Sequence, residues 1–250
     1  MTAVTERADT RDARDGRRPI ALTVGVVAAV AFVMLRVVVA IGAHEPLAVD
    51  VWWHDLMLRS LTDAGIVVAW VPAIVGGTLG MIVVGVVIIA LFLWRRRRWD
   101  AATVAAAMVV VVAIGAPMAA IIARTRPSDS LAERMATSFP SGHTAVATTV
   151  AVILGLLLRR WHVWVLGGGW VLLMMWSRTY LQAHWLSDVV AGLLEGVAVA
   201  TLVWVAVETV RDRRGLRRAQ TAHPSHPDLP HTAPLDTAPL DTPTKGSPPS

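Results

Sequence analysis

The chain contains no cysteine, which excludes disulfide bonds, thiolate metal sites and a cysteine nucleophile. Charged residues are also scarce, at 16% of the 250 residues, whereas hydrophobic residues make up 55%. With a mean hydropathy of +0.56, this composition is too apolar for an ordinary soluble domain. The sequence therefore indicates an integral membrane protein.

Apolar stretches recur six times, and they predict an all-α, integral membrane bundle of six transmembrane helices. The first stretch is long for a signal peptide and precedes no convincing cleavage site, so we expect it to be retained. The second has no charged residue over 31 positions, more than one helix across a bilayer core needs, and Pro72 is expected to break it. The stretches are residues 20–42, 64–94, 101–123, 144–158, 161–176 and 186–210.

Polar segments flank this predicted six-span domain, which we place at residues 20–210. Residues 1–19 form a basic N-terminus with five arginines. Residues 211–250 begin with a second basic run and continue as a Pro/Thr-rich tail with a repeated TAPLD segment. Such a tail cannot bury a core, so we expect it to be disordered. Between the first two spans, residues 44–63 mix tryptophan with aspartate and predict a loop at the membrane interface.

Arginines are distributed unequally between the two sides of the predicted bundle. Six spans put both termini on one side, and that side carries 16 arginines, against 5 on the other. Since arginine accumulates in cytoplasmic loops, we predict cytoplasmic termini. The formal net charge of +5 is then explained by topology, and we expect no nucleic-acid partner.

Residues 177–188, which read SRTYLQAHWLSD, place a histidine and an aspartate four residues apart. On a helix, His184 and Asp188 would share one face. The carboxylate could then accept a proton from one imidazole nitrogen and leave the other as a nucleophile. Arg178 adds a planar fork of donors suited to phosphate. Together with Arg126-Pro127 and Pro140-Ser141-Gly142-His143 upstream, this segment predicts phosphoryl transfer at histidine.

Two further segments fall on the same predicted outer face. In Pro140-Ser141-Gly142-His143, serine is a favoured N-cap and glycine lets a ligand approach the backbone of a helix N-terminus. This segment could equally be a capped membrane helix with an incidental interface histidine. Arg126, followed by Pro127, could equally be a loop arginine near lipid headgroups. The occurrence of all three segments in order on one face favours a site.

Together these segments resemble the signature of the type 2 phosphatidic acid phosphatase superfamily, which also includes vanadium haloperoxidases and acid phosphatases. The family pattern is Lys-x6-Arg-Pro, then Pro-Ser-Gly-His, then Ser-Arg-x5-His-x3-Asp. The chain matches the second and third parts in full. The first part is met at Arg126-Pro127, but Ala119 stands at the lysine position. The six-span layout is similar to the membrane lipid phosphatase branch.

The resemblance implies a role for each matching residue. His184 would be the nucleophile, Asp188 would hold its imidazole, and His143 would protonate the leaving oxygen and later activate water. The non-bridging phosphate oxygens would be held by Arg126, Arg178, Ser141 and the Gly142 backbone N–H. Fixed donors of this kind stabilise the charge of a phosphoryl-transfer transition state. The scheme needs no metal or other cofactor.

The lysine that is replaced by Ala119 would have supplied one more donor to the phosphate. We hypothesise that Arg124, two residues before Arg126, supplies it instead; alternatively, Arg124 lies at the lipid headgroups. A third possibility is a weak or inactive enzyme.

The function expected from these residues is hydrolysis of a lipid phosphate or diphosphate, either a polyprenyl diphosphate or a phosphatidic acid-like lipid, at the outer membrane face. The alternatives are a lipid phosphotransferase with an alcohol acceptor, a catalytically weak lipid-phosphate-binding protein, and a transporter. The expected partners are the phosphate-bearing lipid and the bilayer. Arg36 and Glu195 lie well inside the first and sixth spans, and they are hypothesised to pair or to face a water-filled cavity, because intramembrane charges are costly.

Overall fold

A computed structural model of the protein describes residues 16–132 and 137–222. The predictions made for the rest of the chain, namely most of the basic N-terminus, Arg134 and the Pro/Thr-rich tail, fall outside these residues. The chain divides into two compact units after Asp212. The contacts described below all lie within the first unit.

The described residues form eight helices, and their only β-structure is an isolated bridge between Thr125 and Thr137. This confirms the all-α class. The helices are α1 (Arg17–Ile41), α2 (Ala48–Arg59), α3 (Asp63–Val75), α4 (Thr78–Trp94), α5 (Arg98–Ile122), α6 (Gly142–Leu158), α7 (Trp161–Tyr180) and α8 (Leu186–Ala222).

By length and apolarity, three of these helices could cross a membrane, namely α1, α5 and the Leu186–Arg217 part of α8. The α3–α4 pair, bent by 52°, makes a fourth if it is one broken span. Helix α6 is apolar but has only 17 residues. The structure thus supports three or four spans, and the predicted count of six is not confirmed. Many aliphatic side chains on α1, α4 and α5 are exposed, as suits contact with lipid.

The break in the second apolar stretch lies later than predicted. Pro72 is inside α3, and the helix continues to Val75 before the chain leaves it at Gly76 and Gly77. A proline disturbs the turn that precedes it, but the helix here ends where two glycines remove the side-chain constraints on the backbone. A Cβ at Gly76 would also clash with Met174 of α7, so this glycine permits a close approach between helices.

The segment predicted as an interfacial loop contains a helix instead. Residues 48–59 form α2, which begins where the Asp50 carboxylate accepts a hydrogen bond from the Leu47 N–H at 2.9 Å. Trp52 on this helix is exposed. The capping aspartate thus starts a helix in a stretch whose mixed composition had suggested a loop.

Two glycines on α8 let its backbone approach α6. A Cβ at Gly192 would lie 2.5 Å from the Ser141 carbonyl oxygen, and one at Gly196 would lie 2.6 Å from that of Ala145. Small residues four positions apart are a common means of close helix contact in membranes. This contact fixes the start of α6 beside the start of α8.

Residues 167–169 of α7 are three consecutive glycines, whose small size would allow a neighbouring helix to approach closely. Only Gly167 does so: a Cβ there would lie 3.0 Å from the Ala151 Cβ, whereas Gly168 and Gly169 face open space. The hypothesised ion pair is absent from the described residues. Both carboxyl oxygens of Glu195 are buried without a hydrogen-bond partner, as is the Nε of Arg36.

Candidate active site

The sequence-predicted site residues gather at one end of the bundle formed by α5 to α8. Successive helices begin or end there, and main-chain hydrogen bonds join the segments. The Ser141 N–H donates to the Asp188 carbonyl oxygen at 3.1 Å, and the His184 N–H donates to the Arg178 carbonyl oxygen at 3.2 Å. Arg124 and Arg126 follow α5, Ser141, Gly142 and His143 start α6, Arg178 ends α7, and His184 and Asp188 flank the start of α8.

The His184 ring is held by a backbone carbonyl. Its Nδ1 lies 2.7 Å from the Ser138 carbonyl oxygen and 3.7 Å from the nearer Asp188 oxygen. A carbonyl only accepts hydrogen bonds, so Nδ1 must carry the proton and Nε2 is the unprotonated nitrogen of the neutral ring. The sequence predicted this tautomer through Asp188 but missed Ser138, which acts through its main chain and leaves no side-chain signal.

Several neighbours act on the pKa of the His184 imidazole. Burial lowers this pKa, the interaction with Asp188 raises it, and the positive charges of Arg178 and Arg126 lower it. The net pKa is below the ordinary value, so the neutral ring persists at lower pH than in a solvated histidine. A buried neutral imidazole between two guanidinium groups is suited to attack a negatively charged phosphate.

Arg124 is fully buried, and each of its donor nitrogens has a protein acceptor. Its Nη1 donates to Asp188 Oδ1 at 2.6 Å and to the Ser187 hydroxyl at 2.7 Å. Its Nη2 donates to Asp50 Oδ2 at 2.7 Å, and main-chain carbonyls of residues 44 and 45 accept the remaining bonds at 3.2 Å. The hypothesis that Arg124 reaches the phosphate in place of the missing lysine is not supported by this geometry, because no donor is left over.

Asp50 is a site residue that sequence reasoning missed. Its carboxylate is fully buried and accepts the Ser187 N–H and hydroxyl, both at 2.7 Å, besides Arg124 and the start of its own helix. Helix α2 is thereby tied to the first turn of α8. An aspartate beside tryptophans resembles any interfacial acid, so the sequence carried no signal for a partner 74 positions away.

Asp188 is fixed from two sides. Besides Arg124, it accepts the Trp185 N–H at 2.9 Å and so caps the start of α8. The carboxylate is fully buried. Its orientation toward His184 thus depends on the Arg124 guanidinium and on the helix start.

Arg126 and Arg178 flank His184. Arg126 is half-buried, donating to the Ala183 carbonyl oxygen through Nη1 and to that of Thr137 at 2.6 Å through Nη2. Arg178 is buried in the last turn of α7. Ala119, at the family lysine position, lies in the last turn of α5 and has only a methyl side chain to offer.

The start of α6 is open on the side of Gly142. Ser141 is the N-cap by position, but its hydroxyl makes no capping bond and lies 3.2 Å from the Thr144 hydroxyl. A Cβ at Gly142 would meet no atom within 4 Å, and the φ angle there is not positive, so neither packing nor backbone conformation requires the glycine. The N–H groups of a first helical turn have no intrahelical acceptor and bind anions. His143, half-buried, follows directly.

Residues 100–212 match the PAP2 superfamily, which confirms the family resemblance of the three segments. The chain is also 33% identical over 119 residues to an undecaprenyl-diphosphatase of Sulfolobus acidocaldarius. That match covers 45% of this chain and 57% of the relative, so the chain spans little more than half the length of that protein.

In fold, the chain resembles two solved membrane proteins. One is a PAP2-type phosphatidylglycerolphosphate phosphatase from Bacillus subtilis, with a TM-score of 0.65 and 22% identity, covering 74% of this chain and 96% of that one. The other is LpxE of Aquifex aeolicus, with a TM-score of 0.53 and 20% identity, covering 63% and 96%. These likenesses show a shared fold.

Proposed function

We propose, from the match of residues 100–212 to the PAP2 superfamily, that the chain is a membrane lipid phosphatase working through a phosphohistidine on His184. The observation that carries this proposal is the His184 ring, whose Nδ1 is held by the Ser138 carbonyl at 2.7 Å. This contact leaves Nε2 as the nucleophile. The flanking Arg178 and Arg126 supply the positive charge that an attacked phosphate needs.

In the first step, Nε2 of His184 attacks phosphorus and the bond to the lipid oxygen breaks. His143 gives its proton to the departing oxygen, while Arg126, Arg178, Ser141 and the Gly142 N–H bind the non-bridging oxygens. Transfer of this kind depends mainly on positioning and on stabilised oxygen charge. The first product is the dephosphorylated lipid, or its monophosphate when the substrate is a diphosphate.

In the second step, His143, now neutral, takes a proton from water, and the resulting nucleophile attacks the phosphohistidine. The P–N bond breaks, inorganic phosphate leaves and Nε2 regains its lone pair. Splitting one displacement into two easier ones is the gain of covalent catalysis.

Arg124 has a positioning role in this mechanism. It holds Asp188 at 2.6 Å, and Asp50 holds both Arg124 and Ser187 at 2.7 Å. Asp188 in turn lies beside Nδ1 of His184 and favours the imidazolium that forms on phosphorylation. The donor lost at Ala119 is then not replaced by Arg124, and the remaining donors alone bind the phosphate.

We place the site at the outer ends of a six-span bundle with cytoplasmic termini. The excess of arginine on the opposite side supports this orientation, and the exposed aliphatic faces support a substrate whose tail lies in lipid. The names of the relatives, an undecaprenyl-diphosphatase and a phosphatidylglycerolphosphate phosphatase, favour a polyprenyl diphosphate or a glycerophospholipid monophosphate as substrate.

The test is phosphate release by the purified protein in detergent with EDTA present. Polyprenyl diphosphate, phosphatidic acid and phosphatidylglycerol phosphate are offered in parallel to the wild type and to His184→Ala. We expect release that survives EDTA and falls by at least ~10³-fold in the variant, because the nucleophile is lost. Activity retained by the variant would refute the phosphohistidine. Transfer of phosphate to an added alcohol without release would indicate a phosphotransferase.

A further inference from the structure

A polar cavity of about 400 Å³ opens at the end of the bundle opposite the candidate active site. It is formed by the start of α1, the α4–α5 turn, the end of α6 and the C-terminal half of α8. Seven arginines line it, together with two acids and an apolar floor that includes Trp99 and Trp204. The arginines are Arg17, Arg18, Arg96, Arg97, Arg98, Arg159 and Arg211. We call this cavity the arginine cleft.

The arginine cleft is separated from the active site by the thickness of a bilayer core. Helix α8 contributes Asp188 to one and Glu208 to the other, and their separation in sequence corresponds to ~30 Å along a helix. A bilayer core is also ~30 Å thick. With α8 across a bilayer and the candidate active site at one surface, the cleft would lie at headgroup level of the opposite leaflet.

The acids that line the cleft neutralise only part of its charge. Arg97 pairs with Asp100, and Glu208 lies 3.2 Å from Arg211 and 3.8 Å from Arg18. The other four arginine side chains are exposed and make no ion pair or hydrogen bond within residues 16–132 and 137–222. These four are Arg17, Arg96, Arg98 and Arg159. The cleft thus holds several guanidinium groups that remain available to an anion.

Two of these arginines stand where the backbone favours glycine. Arg96 has a φ of 59° and Arg159 a φ of 56°, in the left-handed region that side chains with a Cβ rarely adopt. Each follows a helix end, where glycine is the usual residue. An arginine at either position has a less favourable backbone conformation than a glycine would have, and both arginine side chains line the cleft.

We propose that the arginine cleft is a binding site for a phosphate-bearing anion, separate from the catalytic site. A planar guanidinium can donate two parallel hydrogen bonds to one phosphate. Basic pockets between membrane helices on the cytoplasmic side are known to bind anionic lipid headgroups. The phosphate comes either from an anionic phospholipid of that leaflet or from free inorganic phosphate or diphosphate. This site does not depend on the hydrolysis proposed above.

The experiment measures binding of cardiolipin, phosphatidylcholine and inorganic diphosphate to the full-length protein in neutral detergent, by native mass spectrometry. The variant Arg96→Gln/Arg159→Gln removes two cleft arginines. The matched control, Arg95→Gln/Arg160→Gln, removes two neighbouring arginines that do not line the cleft. We expect cardiolipin affinity to fall by about tenfold or more in the cleft variant and to change by less than about twofold in the control.

A second variant guards against misfolding. Arg96→Gly/Arg159→Gly removes the same charges but suits the left-handed backbone, so its unfolding temperature should be unchanged or raised while cardiolipin binding is still lost. Displacement of bound cardiolipin by diphosphate would identify a site that accepts free phosphate as well. Lack of displacement would identify a headgroup site. Equal losses in cleft and control variants, or cardiolipin binding no tighter than phosphatidylcholine, would overturn the proposal.

Discussion

The two ends of the bundle both concentrate arginine, but they use it in different ways. At the active-site end, Arg124 is enclosed and its donors are matched by protein acceptors, including two carboxylates. At the other end, Arg96 and Arg159 are exposed and have no such acceptors within the described residues. The difference shows that the supply of acceptors, rather than the presence of arginine, decides whether the residue fixes a structure or offers a binding surface.

The largest expected effect concerns Arg124. In Arg124→Gln, the buried carboxylates of Asp50 and Asp188 lose their counter-charge, and removing one partner of a buried pair costs ~3–5 kcal/mol. We expect the free energy of unfolding in mixed micelles to fall by about this amount. Arg159→Gln, the control, should change it by less than ~0.5 kcal/mol, because it is a surface substitution.

The same variant distinguishes positioning from a purely structural role. At a temperature where Arg124→Gln remains folded, kcat should fall while KM is nearly unchanged, since protein acceptors take up all the donor nitrogens of this guanidinium. A raised KM with unchanged kcat would instead assign Arg124 to the phosphate, as our first hypothesis had it.

A substitution at Gly142 should affect catalysis without affecting stability. A Cβ at this position meets no atom within 4 Å, so Gly142→Ala should fold normally. If a phosphate approaches the Gly142 N–H, the added methyl group should hinder that approach and lower kcat/KM by roughly 10-fold or more, a smaller effect than the ~10²–10³-fold that removal of such a donor costs. Unchanged kinetics would remove Gly142 from the phosphate site.

The pH profile tests the electrostatic side of the comparison. If the neutral His184 ring is the nucleophile, as proposed, the acid limb of kcat/KM should lie at lower pH than that of an ordinary histidine, because burial and the neighbouring arginines lower the pKa of this imidazole. Removing a positive neighbour, as in Arg126→Gln, should raise this pKa and move the acid limb to higher pH. An acid limb that moves to lower pH in this variant would contradict the arrangement. Arg160→Gln serves as the charge-matched control.

The smallest expected effect is at the other end. Arg159→Gly removes the strain of a side chain on a left-handed backbone, but it also raises the conformational entropy of the unfolded chain. We therefore expect the free energy of unfolding to rise by no more than ~1 kcal/mol. A clear destabilisation, measured by thermal unfolding without added lipid, would mean that the Arg159 side chain contributes to the fold itself.

The sequence was sufficient for those features that depend on local spacing. His184 and Asp188 lie near each other because they are four positions apart at a helix start, and the helix class followed from apolar stretches. It was insufficient for contacts between distant segments. The pairing of Asp50 with Arg124 spans 74 positions, and the Ser138 carbonyl that holds His184 is main chain, which any residue would supply.

Span number and helix breaks depended on competing local effects. Apolarity alone predicted six spans. The fourth apolar stretch does end at Leu158, as predicted, because the chain turns at Arg159, but the resulting α6 has only 17 residues and is not among the helices long enough to count as candidate spans. Proline was expected to break the second span, and the glycine pair that follows Val75 decided the position instead. In both places a short local signal determined where the helix ends.

The glycine contact between α6 and α8 has a mechanical consequence. Because Gly192 and Gly196 bring main chain against main chain, the start of α6 cannot slide along α8 without steric overlap. Bilayers of different thickness change the tilt of transmembrane helices. This contact should make α6 and α8 tilt together as one rigid body. His143 and His184 would then keep their spacing when the surrounding membrane becomes thinner or thicker.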